Sequence, residues 1–90
     1  MPIMLVRNKV EDYSTWRSVF DAQKGAARRA GLHLLDMWRD IEDTNNVFFT
    51  MRVEDVDKAR AYVSAPESAE VGKRAGVIDG ELHIVERVKD

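Results

Sequence analysis

An amide and two aromatics stand close together near the start of the chain. Asn8 ends the apolar run "IMLVRN", and Tyr13 and Trp16 follow at helical spacing. An amide at such a seam can hold a carbonyl or a dioxygen-derived oxygen by hydrogen bonding, as an electrostatic stabiliser. The other role open to Asn8 is to bond the backbone at a strand end. Tyr13 and Trp16 each join a large apolar body to a polar tip, which suits either a core position or a pocket wall. His33 and His83 are the only histidines, and each is a candidate general base because imidazole titrates near neutral pH. His83, within "LHIV", is the better placed of the two. Trp38 is expected either to anchor an interface or to line a pocket. Arg52 is a candidate partner for Asp36, as a rim pair that orients an anion or satisfies the sheet. Tyr62 is expected inward or at the edge of a helix.

Several chemistries lack their residues. There is no cysteine, so no disulfide framework and no thiolate metal site. No HxH, HxxxH or HExxH spacing occurs, and no metal site is expected. Gly-rich phosphate loops and a nucleophile elbow are missing as well. Fourteen basic residues against sixteen acidic ones leave a formal net charge of -2, which argues against binding nucleic acid through a basic face. The densest basic cluster, Lys24, Arg28 and Arg29, is read as a solvated helix face. No stretch has the length of a membrane helix or a signal h-region, so the chain is read as soluble and cytoplasmic.

The elements that must position these residues follow from period and punctuation. Residues 2–9 read as a strand opened by Pro2. Tyr13, Trp16, Phe20, Ala27 and Ala30 then lie on one helical stripe, with Glu11 and Asp12 at its start and Gly31 at its end. The internal Gly25 is expected to mark a close approach of helix to sheet. Residues 32–39 and 47–53 read as strands joined by the turn-forming "DIEDTNN". Asp55 caps a helix over "VDKARAYVSA", whose inner stripe is Val56, Ala59 and Val63. Pro66 opens a further helical piece ended by Gly76. Asp79-Gly80 reads as a turn, and "ELHIVERV" as the last strand. On the second strand, Trp38 shares a face with Leu34 and Asp36, while His33, Leu35 and Met37 share the other.

The order β-α-β-β-α-β predicts an α+β ferredoxin-like sandwich over residues 1–90, with an antiparallel four-stranded sheet covered on one face by helices. Its first and third strands are expected at the centre, parallel, with right-handed crossovers. If Met4, Val6, Asn8 and Val10 face the helices, Asn8 sits at the rim near Trp16. Yet "IMLV" and "VFF" are apolar on consecutive positions, hence on both faces of the sheet. A second cover is needed, and the simplest is another copy, sheet against sheet. A homodimer is therefore expected.

The runs "VRNKVEDYSTWRSVFDA", "AARRAG", "DTNNVFFTMRVEDVDKARAYVSAPE" and "RAGV" resemble the dimeric α+β barrel proteins of the antibiotic-biosynthesis-monooxygenase-like superfamily, and a small bacterial subgroup of it in particular. The resemblance implies a homodimer and a pocket between sheet and helices for a small apolar or aromatic ligand. It implies cofactor-independent monooxygenase or isomerase chemistry, for which the residues weighed above offer Asn8, Trp16 and His83 as the catalytic set. Tyr13, His33, Trp38, Arg52 and Tyr62 would be the ligand-binding set. A non-catalytic ligand-binding protein is the alternative. A haem-binding variant is a third, since the haem-degrading relatives use Asn, Trp and His together. The chain departs from the subgroup at Asn8, where histidine is frequent, and at Ser68 and Gly72, where larger apolar residues stand. That loss of bulk would open space beside the second helix or loosen it.

Overall fold

The computed structural model describes residues 1–90. The order is β1 (Ile3–Val10), α1 (Tyr13–Ala22), α2 (Lys24–Arg29), β2 (Leu32–Arg39), β3 (Asn46–Val53), α3 (Val56–Ser64), α4 (Pro66–Arg74) and β4 (Val77–Val85). The strands form one four-stranded sheet in the order β2-β3-β1-β4. This is the expected ferredoxin-like α+β arrangement, with one correction. The central strands β1 and β3 are antiparallel, with Met4 opposite Met51 and Val6 opposite Phe49. The helical crossover makes β2 run parallel to β1, and the β2–β3 connection then reverses the chain. The two parallel strands of the split unit are thus β1 and β2, with β3 inserted between them.

Each helix pair is opened by an aspartate. Asp12 caps α1 by accepting from the Thr15 amide at 3.0 Å, and Asp55 caps α3 by accepting from the Lys58 amide at 3.1 Å. Each pair ends on a glycine with positive φ, Gly31 (79°) and Gly76 (75°), where a side chain would be strained. The single helix expected up to Ala30 is broken at Gln23. Its N–H is shared between the Val19 and Phe20 carbonyls, at 3.2 and 3.1 Å, which tightens the last turn of α1. Gly25 is exposed on α2 and makes no close approach to the sheet.

The last strand also departs from expectation. Asp79-Gly80 is no turn; β4 runs straight through it, beginning directly after Gly76. Gly80 lies opposite Asn8, and a Cβ there would stand 2.7 Å from the Arg7 carbonyl oxygen. The glycine therefore serves a close approach between strands.

Alternation along β1 is as expected: Met4, Val6 and Val10 are buried beneath the helices and Leu5 is exposed. On β2 the assumed parity fails. The register jumps between Leu34 and Asp36, leaving Leu35 as the extra residue of a bulge. Leu32, Leu34 and Met37 share the helix side, while His33, Asp36 and Trp38 lie opposite Arg52, Thr50 and Phe48 on the other side. The core centres on Trp16, which stacks on Phe20 at 4.9 Å between centroids and meets Phe49 at 5.8 Å. No helix is long and apolar enough to cross a membrane.

Candidate functional site

A cavity of about 340 Å³ lies between the sheet and the helices. Met4, Val6, Asn8, Leu32, Phe49, Met51 and Leu82 form its floor, and every one of them points to the helix side of its strand. The roof comes from Phe20 of α1, Gln23 and Lys24 at the helix break, Ala27 of α2, Tyr62 and Val63 of α3, and Ser68 and Gly72 of α4. The space has an identifiable origin at Gly72, where an added Cβ would meet nothing within 4 Å. Ser68 and Gly72, the two small residues expected to open space beside the second helix or to loosen it, both face this space.

Asn8 is the polar centre of the floor. Its hydrogen-bond neighbours assign the amide orientation: the oxygen accepts from Trp16 Nε1 at 3.2 Å, and the nitrogen donates to the Arg7 carbonyl at 3.1 Å. The reverse orientation sets donor against donor and acceptor against acceptor. Trp16 is thus not itself a wall of the cavity. It is 2 % exposed and stands behind Asn8, fixing the amide. One amide hydrogen of Asn8 remains uncommitted.

Tyr62 is the one phenol in the wall, and its hydroxyl makes no hydrogen bond within the chain. Burial raises its pKa, and the positive charge of Arg29 offsets part of that rise, so at neutral pH it is a hydrogen-bond donor. The Ser68 hydroxyl donates to the Tyr62 carbonyl and joins α4 to α3. Lys24 supplies the only formal charge in the wall, and it pairs with Asp21 at 3.2 Å.

The other candidate residues lie elsewhere. Tyr13 packs against the Arg39 guanidinium, 3.7 Å from ring centroid to Cζ, and accepts from Arg17 at 3.3 Å. His83 and Trp38 border a hollow of about 510 Å³ on the opposite face of the sheet, with Leu5, Phe48, Thr50 and Arg7. Asn8 and His83 are therefore on opposite sides of the sheet. His83 reaches only Glu81, at 3.4 Å. His33 bonds Glu54 beside a third hollow, of about 320 Å³, whose other walls include Lys24 and Arg28. Arg52 stands opposite His33 and forms no ion pair with Asp36, which lies opposite Thr50 across the bulge. Of the residues singled out, Asn8 and Tyr62 line the cavity, with Trp16 directly behind.

Lys24 and Gln23 went unrecognised as cavity residues, whereas Ser68 and Gly72 stand where lost bulk was expected to open space or loosen the helix. Lys24 had a signal: it lies four residues after Phe20 and three before Ala27, on the same apolar stripe. No histidine, and no carboxylate, enters the wall. The residues present thus do not fit haem there, for want of an axial imidazole.

No protein-family model and no curated protein matches the chain. Solved structures do. A protein from Bordetella bronchiseptica named as an antibiotic biosynthesis monooxygenase superposes with a TM-score of 0.77 at 16 % identity, covering 98 % of this chain and 97 % of that one. A variant of SnoaB, a cofactor-independent oxygenase from Streptomyces nogalater, gives 0.75 at 17 % identity, covering 99 % and 94 %. A third, from Deinococcus radiodurans and named like the first, gives 0.72 at 14 % identity, covering 100 % and 95 %. The chain has the fold of these antibiotic-biosynthesis-monooxygenase-like proteins, as its sequence resemblance implied.

Proposed function

We propose that this chain is a cofactor-independent monooxygenase-type enzyme acting on a small aromatic or polyketide-like molecule held between sheet and helices. The observation that carries the proposal is the apolar cavity with a fixed amide in its floor. Its volume, about 340 Å³, sits at the low end of the range of ~300–1,000 Å³ usual for ligand pockets. The likeness in fold to a cofactor-independent oxygenase supports the reaction class. Isomerisation of a similar molecule uses the same first step, enolate formation.

The wall favours a substrate that is itself acidic at carbon or oxygen, because no imidazole or carboxylate lines it. A methylene flanked by aromatic rings and a carbonyl qualifies. Its carbanion passes electrons to dioxygen. The balance is one methylene and one dioxygen giving one ketone carbonyl and one water: the carbon is oxidised, both of its hydrogens leave in the water, and each product takes one oxygen atom. The uncommitted Asn8 hydrogen and the Tyr62 hydroxyl are donors for the enolate oxygen, and the fixed position of the amide lowers the cost of developing charge. Trp16 holds the Asn8 amide in place and is a positioning residue.

We take the working unit to be a cytoplasmic homodimer. On the outer sheet face Leu5, Trp38 and Phe48 are 42 %, 52 % and 36 % exposed, an apolar surface that a second sheet would cover. His83 and Arg52 then belong to that interface rather than to catalysis.

One observation favours a second reading, a ligand-binding protein without turnover: the cavity offers no acid–base pair. Oxygen uptake with a panel of anthrones and naphthols separates the two. Turnover that survives metal chelation and falls at least about tenfold in Asn8→Ala supports the enzyme. Binding without oxygen uptake across the panel supports the second reading.

A further inference from the structure

Taking the sheet–helix cavity as the ligand site, we infer that its ligand is an amphipathic anion. Its ring system would fill the cavity, and a carboxylate or similar group would leave beneath α2 to meet Lys24 and Arg28. The third hollow, of about 320 Å³, shares three walls with the cavity: Lys24, Leu32 and Met51. The two spaces are therefore adjacent, separated by apolar side chains and roofed by a lysine common to both. Their chemistry differs. The cavity is walled mainly by apolar groups, whereas the hollow adds Arg28.

The charges at this outlet are unevenly neutralised. Lys24 has Asp21 as a partner, and His33 has Glu54. Arg28 forms no ion pair or side-chain hydrogen bond, so a guanidinium fork stands open in the hollow next to the apolar cavity. This local excess of positive charge contrasts with the chain's net charge of -2. A basic group beside an apolar hollow selects ligands that carry both features, whereas a solvated basic face has no reason to adjoin a cavity.

The test uses two fluorescent probes with the same ring system. One is 1-anilinonaphthalene-8-sulfonate, the other its neutral parent N-phenyl-1-naphthylamine. The intact protein should bind the sulfonate about five- to tenfold more tightly than the neutral probe at low salt, and Arg28→Gln should abolish that preference while leaving the neutral probe unaffected. Equal affinities in the wild type, or equal weakening of both probes in Arg28→Gln, would overturn the inference. Gly72→Leu, which fills the cavity, should exclude both probes. If both bind Gly72→Leu unchanged, they sit outside the cavity, and the cavity assignment fails with the inference built on it. A neutral probe that responds to Gly72→Leu while the sulfonate shows no preference overturns the anion alone.

Discussion

The indole N–H of Trp16 meets the amide oxygen of Asn8 at 3.2 Å, and this bond ties the first strand to the first helix beneath the cavity. It answers what an amide and an aromatic do together at that seam. The aromatic supplies the centre of the core, and its one polar atom orients the amide.

Removing that bond without removing the ring should be measurable. Trp16→Phe keeps stacking area against Phe20 but leaves the Asn8 oxygen without its donor, and should cost about 1–3 kcal/mol in urea denaturation. A double-mutant cycle with Asn8→Ala should return a coupling of about 1 kcal/mol. A coupling near zero would mean the two residues act separately.

Two glycines should respond with opposite sign to the same substitution. Gly80→Ala places a Cβ 2.7 Å from the Arg7 carbonyl and 2.9 Å from the Asn8 side chain, so the strands must shift. A loss of about 1–3 kcal/mol and a disturbed Asn8 are expected. Gly72→Ala meets only open space within a helix, and should raise stability by up to about 1 kcal/mol. Melting curves of the two variants decide both points.

Acid should unfold the protein through its paired carboxylates. Arg7 donates to Asp79 at 2.9 Å and to Glu81 at 3.0 Å, and these bonds hold both carboxyls below their usual range. Asp43 is lowered by Lys9, and Glu54 by His33. A depressed folded-state pKa adds stability above the unfolded value and loses it as pH falls through the folded one. Stability should therefore be flat near neutrality and decline below about pH 4, where ordinary carboxylates protonate. Asp79→Asn with Glu81→Gln should flatten that decline. An unchanged acid limb would show that the Arg7 cluster adds nothing.

The outer sheet face should control assembly. Sedimentation at micromolar concentration is expected to give a dimer, and Phe48→Asp a folded monomer, because a buried unpaired carboxylate there is costly. A wild-type monomer would refute the sheet-to-sheet interface.

The order of elements and the face of β1 were legible because Asp12, Asp55, Gly31 and Gly76 punctuate the helices and Met4, Val6 and Asn8 keep strict alternation. The faces of β2 were not, since a bulge at Leu35 reverses parity without any residue type to announce it. Asp79-Gly80 has the composition of a turn, and only the strand opposite reveals that the glycine makes room. Asn8 and Tyr62 could be found as polar residues on inward stripes. The missing bulk at Gly72 was legible too, but whether it opens space or loosens the helix is a property of packing, and the packing leaves the space open.

The two aspartate caps have a further consequence. Asp12 and Asp55 each accept, through the backbone carbonyl, from the residue four positions on, and those residues are Trp16 and Ala59. By the same count Phe20 corresponds to Val63, and both line the cavity. The chain is thus one β-α-α-β plan written twice, with the bulky side chains spent on the first copy. The cavity opens against the lighter copy, at Gly72, where an added Cβ would meet nothing within 4 Å.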